Sequence, residues 1–419
     1  MKPRHSFRKW VCIAVSIVLV LQMAACGQQE SRSPDEAIES SVANAERAEA
    51  SMEPTEQSQA TQADQSPMMQ DRTYQAPALQ AESFQGQTAQ DFVEQLGIGW
   101  NLGNSLDPVD CTWLADDMDL EYETAWGNPK VTKELIHYIR SEGFTTIRVP
   151  VTWKNHVGAA PDYTIRGEWF DRVQQVVDWC LEEDMYVILN MHHESAWLTN
   201  ASKDYDQTMI QYRAIWTQIA TRFQDYDEHL LFESMNEIGF DDLGDTEGCA
   251  LQNRINAEFT ELIRSSGGRN PERYLLLAGY WTDIDKSCEG TILPEDDRVM
   301  LSVHYYAPTT FAIADRSSSW GYQETWGTED DFAYLDGQMQ KLKTHFTDRG
   351  IPVIVGEFAA NHTDKDTESV VRYTSSVMEY ALRYHLCPIW WDNGQEIDRM
   401  NFNYRVNGMQ SAIHEVMDR

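Results

Sequence analysis

Eight short apolar runs recur between residues 97 and 394, and this repetition constrains the fold more than any other feature. Helical patterns separate most of the runs, and strand–helix alternation predicts a parallel sheet. Eight repeats favour closure of that sheet into a (β/α)8 barrel, the TIM barrel. The runs are Gly97–Asn104, Thr145–Val151, Met185–His192, Leu230–Glu237, Arg273–Tyr280, Val299–Tyr306, Ile351–Phe358 and Cys387–Gly394.

The helical patterns have apolar residues at three- and four-residue spacing, as Phe170, Val173 and Val177 show. No clear helix follows Tyr280, which is the weakest point of the repeat. We predict one α/β catalytic domain over residues 88–419. The patterns lie at Pro129–Glu142, Glu168–Glu183, Gln207–Phe223, Leu251–Arg264, Phe332–Arg349 and Glu368–Tyr384.

The N-terminus resembles a secretory signal peptide. Four basic residues precede the apolar run from Trp10 to Val20, which is too short for a membrane span. Small residues then come directly before Cys26, as in bacterial lipoprotein signals. We predict a signal peptide over residues 1–25 and a lipid on Cys26, with ordinary signal cleavage as the alternative. Such an anchor would place the protein on the cell surface or on a periplasm-facing membrane.

Residues 26–87 are rich in Gln, Ser, Ala and Glu and nearly lack branched apolar residues. A segment of this composition cannot bury enough apolar surface to offset its ordering entropy. We therefore predict a disordered linker that tethers the catalytic domain.

Charge and cysteine content exclude several classes of partner. A formal net charge of −34 argues against nucleic acid and anionic lipid headgroups. The seven cysteines show neither zinc-site spacing nor a regular disulfide framework, although Cys249 and Cys288 could pair. We expect a monomer without a cofactor.

Polar and aromatic residues gather at the predicted strand ends, where barrel enzymes carry their chemistry. Chance would scatter such residues along the strands, so their concentration at one rim favours an enzyme. They are Asn101, Asn104, Arg148, His192, His193, Asn236, Glu237, His304, Tyr306, Glu357 and Trp391.

Glu237 and Glu357 suit glycosidic bond cleavage, which uses one ionised and one protonated carboxyl group. Either glutamate alone would be explained by an ion pair at a strand end. Arg148 and Tyr306 are assigned to Glu357, which they would keep ionised as the nucleophile. The neighbouring charge would raise the pKa of Glu237, the predicted acid and base. A retaining enzyme needs the two carboxyl groups ~5–5.5 Å apart.

Several further residues have predicted binding roles. Asn236 could bind a sugar 2-hydroxyl group. Adjacent His192 and His193 should point to opposite strand faces, so that only one faces the barrel axis. A His pair followed by Glu194 also raises metal binding, but adjacent residues make a poor chelate, and we predict no metal site. Tryptophans near the loops predict a sugar-binding cleft, with core packing as the alternative for each.

Short motifs in a fixed order resemble glycoside hydrolase family 5, and the resemblance spans Gln95 to Gly394. ETAWGNP and WKNH resemble its subfamily 4, whose members are mostly endo-β-1,4-glucanases. The motifs are GWNLGNSLD (Gly99–Asp107), ETAWGNP (Glu123–Pro129), TIRVPVTWKNHVG (Thr146–Gly158), NMHHE (Asn190–Glu194), MNE (Met235–Glu237), VHYY (Val303–Tyr306), GEF (Gly356–Phe358) and WWDNG (Trp390–Gly394).

The resemblance implies a role for each matching residue. It makes Glu237 the acid and base, Glu357 the nucleophile and Trp391 the stacking residue, with Trp390 as the neighbouring alternative. The usual Asn-Glu-Pro is Asn236-Glu237-Ile238 in this chain. The implied substrate-binding residues are Asn101, Trp126, Arg148, His192, His193, Asn236, His304, Tyr306 and Trp391.

The resemblance therefore implies a retaining endo-β-1,4-glucanase that acts on cellulose derivatives, mixed-linkage β-glucan or xyloglucan. Two alternatives stay open. A β-mannanase could use the same catalytic set with different loops. A non-catalytic surface lipoprotein could bind glycans with an inactive barrel.

Overall fold

The computed structural model describes residues 89–115 and 117–419. Eight parallel strands close into a barrel in sequence order, and β8 pairs with β1. This confirms the predicted (β/α)8 fold. The signal peptide, Cys26 and the linker lie outside the described residues. The strands are β1 Gly99–Leu102, β2 Thr146–Val149, β3 Tyr186–Asn190, β4 Leu230–Glu233, β5 Leu275–Ala278, β6 Val299–His304, β7 Val353–Phe358 and β8 Cys387–Asp392.

Several strands end earlier than predicted. β4 ends at Glu233, so Glu237 lies in the following loop and not at the strand end. β3 ends at Asn190, two residues before His192. The apolar run misled the prediction because Met235 and Ile238 are buried at the rim although they lie outside the strand.

Helices cover the outside of the barrel. The chain after Tyr280 forms a short turn and then the seven-residue helix α7, capped by the Asp283 side chain. Seven residues are too few to show helical periodicity in the sequence. The helices are α1 Ala89–Leu96, α2 Lys133–Ser141, α3 Gly167–Glu182, α4 Ser195–Leu198, α5 Tyr205–Arg222, α6 Asp245–Ser265, α7 Ile284–Gly290, α8 Thr309–Ala312, α9 Glu329–His345, α10 Thr367–Arg383 and α11 Met409–Met417. A small hairpin, β9 Ile397–Asp398 and β10 Asn403–Tyr404, follows β8.

The barrel interior is apolar at one end and polar at the other. Phe92 of α1 is fully buried and stacks on Tyr274, which directly precedes β5. It belongs to a cluster with inward-facing residues such as Leu231 and Met300. Side chains alternate along a strand, so Glu233 and Ser302, two residues further on, also face inward. The polar layer that they form supports the rim above it.

Two further findings concern the cysteines and membrane-spanning helices. All five cysteines of the described residues are free, so Cys249 and Cys288 do not pair. Within residues 89–115 and 117–419, no helix combines the length and the apolar character that crossing a bilayer requires.

Candidate active site

Arg148 is the centre of the site. It lies on β2, is fully buried, and donates to four side chains through its three nitrogens. Nε donates to Glu233 at 2.6 Å, and Nη2 donates to Asn236 at 2.8 Å. Nη1 donates to Glu357 at 2.7 Å and to Asn101 at 3.0 Å. One guanidinium group on β2 therefore holds residues from β1, from β7, and from β4 and the loop after it.

Glu357 lies on β7 and receives two side-chain hydrogen bonds. Arg148 donates to Oε1, and the Tyr306 hydroxyl donates to Oε2 at 3.0 Å. The predicted partners are therefore both in contact with this carboxyl group. The amide of Asn101 donates to the backbone oxygen of the preceding Gly356 at 2.9 Å, which fixes the strand beside it.

Glu237 lies opposite Glu357. Nδ1 of His304 is 2.7 Å from Glu237 Oε1 and 3.6 Å from Glu357 Oε2. One oxygen of each glutamate and the His304 nitrogen all lie within 4.8 Å of one another. The Glu237 side chain is 27% exposed and that of Glu357 is 6% exposed. The two carboxyl groups thus face each other, and Glu237 is the more open to the cleft.

The pKa directions in the resting site differ from the sequence-based expectation. Burial raises the pKa of Glu357, and the charge of Glu237 adds to this against the lowering effects of His304 and Arg148. Burial alone would raise the pKa of Glu237, but the hydrogen bond and charge of His304 outweigh burial and lower it. The prediction had these directions reversed, because strand-end positions do not reveal that His304 contacts Glu237.

His192 and His193 lie on the same side of the site, which contradicts the predicted alternation. Their ring centroids are 4.5 Å apart, because the strand has ended at Asn190 and the two-residue period no longer applies. Nε2 of His193 lies 4.0 Å from the buried Asp107 Oδ2. Burial lowers the pKa of His193 to about 4 and raises that of Asp107 to about 7.

The hydrogen bonds of His192 determine its tautomer. Asn190 Oδ1 accepts from the Val151 N–H at 3.1 Å, so its Nδ2 faces His192 Nδ1 at 3.1 Å. Nδ1 is then the acceptor, and the ring proton lies on Nε2. Metal binding through Nε2 would move the ring proton to Nδ1, where it would face the NH2 group of Asn190. In the cluster of Asp107, His192 and His193, His192 is therefore the residue least suited to bind a cation.

Two tryptophans, Trp391 at the end of β8 and Trp126 in a loop, pack near His192 and His193. Trp391 is half-buried and lies parallel to His192, with 5.7 Å between the ring centroids. Trp390 is fully buried against Phe144 on the other face of the sheet, so of the two tryptophans only Trp391 is accessible at the rim. Trp126 packs near His193 at 5.5 Å. Others, such as Trp153 and Trp326, are core residues.

Sequence reasoning missed Glu233 and Ser302. Both are fully buried in the barrel interior, and the Ser302 hydroxyl donates to Glu233 Oε1 at 2.6 Å. The available signal was an acidic residue within the apolar run LLFE, four residues before Glu237. A buried carboxylate inside a strand requires a partner, and Arg148 was predicted on β2, two strands away around the barrel.

A family model described as "Cellulase (glycosyl hydrolase family 5)" matches residues 115–397, more than half of the chain. The chain belongs to glycoside hydrolase family 5. "Endoglucanase A" of Ruminococcus albus is 38% identical to this family 5 enzyme over 315 residues, which cover 73% of the chain and 84% of that relative. "Endoglucanase A" of Paenibacillus barcinonensis is 36% identical over 342 residues, covering 73% and 83%.

Solved structures place the family 5 enzyme with subfamily 4. The "GH5-4 broad specificity endoglucanase from Ruminococcus champanellensis with bound cellotriose" has a TM-score of 0.73 and 34% identity, covering 78% of this chain and 98% of that one. These comparisons confirm the predicted family, its subfamily likeness and an enzyme of the endoglucanase type.

Proposed function

We propose that this chain is a retaining endo-acting glycoside hydrolase that cleaves β-1,4-glucan linkages by double displacement. One observation carries the proposal: Glu237 and Glu357 face each other with oxygens within 4.8 Å, and each has its own donor set. A single water between the groups, as inversion needs, calls for ~6.5–9.5 Å. The close approach therefore supports direct attack by a carboxylate.

The surroundings of the two glutamates support a division of roles. Arg148 and Tyr306 hold Glu357 towards the cleft and stabilise its charged form. Glu237 is more exposed and shares a short contact with His304, so this pair can hold one transferable proton beside the leaving group. Two carboxyl groups this close repel each other when both are ionised, so the pair favours a state with one proton, and the reaction uses the form in which Glu237 carries it.

The first step forms a covalent intermediate. A Glu357 oxygen attacks the anomeric carbon, the bond from that carbon to the leaving glucan oxygen breaks, and Glu237 gives this oxygen its proton. In the second step Glu237 takes a proton from water. The water oxygen attacks the anomeric carbon, and the ester bond to Glu357 breaks. No cofactor is needed.

Other groups of the site suit the binding of a pyranose ring. The Asn236 oxygen accepts from Arg148, which turns its amide nitrogen outwards as a donor for the sugar 2-hydroxyl group. The half-buried face of Trp391 is available for stacking, and His192 offers its Nε2 proton beside it. The relatives named as endoglucanases, including one with bound cellotriose, support glucan as the substrate class.

Substitution of the nucleophile tests the mechanism. Glu357→Gln keeps the side-chain shape but cannot attack, so we expect turnover to be lost while cello-oligosaccharide binding survives. Glu258→Gln is the matched control, because Glu258 pairs with Arg213 outside the barrel. Activity of Glu357→Gln close to that of the wild type would end the assignment.

A substrate panel separates the alternatives. Carboxymethylcellulose, barley β-glucan, xyloglucan and glucomannan should be compared by release of reducing ends. Preference for glucomannan would favour the β-mannanase. Binding without release of reducing ends would favour the inactive glycan-binding lipoprotein.

We also propose, on the sequence of the N-terminus, that the mature chain is a monomer anchored through lipid on Cys26 at an extracytoplasmic membrane surface. Cys26→Ala should release the enzyme from the membrane fraction and abolish incorporation of a labelled fatty acid. Membrane association of that variant would contradict the anchor.

A further inference from the structure

Glu233 is a buried charged residue that the proposed mechanism does not use. It is fully buried at the end of β4, inside the barrel. One carboxyl oxygen accepts from Arg148 Nε at 2.6 Å, and the other accepts from Ser302 at 2.6 Å. A buried carboxylate is costly unless it is paired and hydrogen-bonded, and both conditions are met.

Arg148 lies between this carboxylate and the one at the reacting centre. Its Nε is bound to Glu233, and its Nη1 is bound to Glu357. A guanidinium group is planar, so the position of Nε fixes the directions in which Nη1 and Nη2 point. Glu233 thus orients the two hydrogen bonds that reach Glu357 and Asn236.

We propose that Glu233 is a positioning residue for the displacement reaction: it aims Arg148 at Glu357 and takes up part of its positive charge. This inference rests on the proposed function, because it concerns how Glu357 is held as the nucleophile. Ser302 completes the arrangement by fixing the second oxygen of Glu233.

The shared charge has a chemical consequence. An arginine that faced Glu357 alone would stabilise the carboxylate more strongly, which would make it a weaker nucleophile and a better leaving group. Formation of the glycosyl–enzyme bond would slow, and its hydrolysis would accelerate. Glu233 shifts this balance towards attack, because its negative charge offsets the arginine.

Glu233→Gln removes the negative charge of this side chain and keeps its shape. The amide oxygen can accept from Arg148, and the amide nitrogen can donate to Ser302, whose hydroxyl accepts as well as donates. Both contacts are kept while the negative charge is removed. We expect the acidic limb of the pH profile to move to lower pH by about one unit and kcat/KM at the optimum to fall about tenfold.

The probe is a 2-deoxy-2-fluoro cellobioside with a good leaving group, which traps the covalent intermediate. Its rate of attachment is measured against pH in wild type and Glu233→Gln, and mass spectrometry locates the label. Asp296→Asn is the matched control, because it removes a carboxylate paired with Arg264 just before β6, at the opposite end of the barrel. The control should keep the wild-type profile.

The outcomes separate the two proposals. A label on Glu357 with a shifted profile in Glu233→Gln supports both. A label on Glu357 with superimposed profiles overturns the role of Glu233 and leaves the proposed function standing. No label on the wild-type enzyme refutes the proposed function, and the inference about Glu233 falls with it.

Ser302→Ala carries the test if Glu233→Gln does not fold. It leaves every charge in place and frees one oxygen of Glu233, so Arg148 is held less firmly. We expect kcat to fall several-fold with little change in KM. A wild-type kcat in this variant would overturn the positioning role.

Discussion

At the scale of single residues, the Tyr306 hydroxyl acts directly on the charge of Glu357, to which it donates at 3.0 Å. In Tyr306→Phe the carboxylate loses this donor, so its pKa should rise further. Attack needs the ionised form, and activity is lost as pH falls through that pKa. The acidic limb of kcat/KM should therefore move to higher pH by about one unit, with a loss of about tenfold or more at the optimum.

The neighbouring Tyr305 provides the control for this pH profile. Its buried hydroxyl has no hydrogen-bond partner among the described residues, and its ring packs near Tyr373. Tyr305→Phe should keep the wild-type profile. An acidic limb of Tyr306→Phe that moves to lower pH, or does not move, would contradict the proposed contact.

The residues that meet at the rim and two of their contacts were predictable from the sequence, whereas other contacts were not. Arg148 and Tyr306 were assigned to Glu357 because charged and polar groups at one rim must find partners. Glu233 was missed because it continues an apolar run and lies one layer below the rim. The contact between His304 and Glu237 depends on loop geometry that no spacing rule supplies.

At the scale of elements, the loops after β4 and β5 meet at Gly239. A Cβ atom there would lie 1.7 Å from the Trp281 ring, whose backbone has a φ of 59°. Gly239→Ala must displace this ring and with it the loop that carries Glu237. We expect a fall in kcat of at least about tenfold and a loss of stability of about 1–3 kcal/mol.

Gly337→Ala is the control for Gly239→Ala, since a Cβ atom there, on α9, would meet nothing within 4 Å. It should be neutral or stabilising by up to about 1 kcal/mol. Kinetics and urea unfolding measure both variants. Wild-type kcat in Gly239→Ala would show that the loop contact does not position Glu237.

Helix α1 makes a separate contribution, which is to stability. Phe92 is fully buried against Tyr274 and the interior cluster, so Phe92→Ala should cost about 3–5 kcal/mol in the free energy of unfolding. The site lies at the other end of the barrel, so kcat of the folded variant should be unchanged. Leu382→Ala, at a partly exposed position, should cost much less. Equal losses in the two variants would contradict this role of α1.

Elements were predicted where their pattern was long enough. The long outer helices show the 3.6-residue period, and all eight strands were found. The short α7 was not, and strand ends were extended because rim loops bury apolar residues such as Met235. A buried loop contains the same apolar residues as a buried strand, so the sequence does not distinguish the two.

At the scale of the whole molecule, buried His156 makes the fold sensitive to acid. Burial lowers the pKa of His156 to about 4, although its bond to Asp119 opposes this. Between pH ~6.5, the ordinary pKa, and pH 4, His156 is protonated in the unfolded chain but stays neutral in the native state. The free energy of unfolding should therefore decrease as pH is lowered through this window, by on the order of 3 kcal/mol from this residue.

His156→Gln should flatten that dependence. Urea unfolding at pH 7 and pH 4.5 gives the slope for wild type and variant. His137→Gln, at an exposed position, should retain the wild-type slope. Identical slopes in wild type and His156→Gln would show that His156 is not responsible.

The pairing of β8 with β1 joins the last strand of the barrel to the first beside the candidate active site. The Asn101 amide donates to the backbone oxygen of Ile389, and Trp391 lies beside Asn101 in the register. Along the sequence, Arg148 and Glu357 both precede β8, the strand that completes their surroundings. A chain that stops short of residue 387 thus keeps both glutamates but has no closed ring, and we expect it to be inactive.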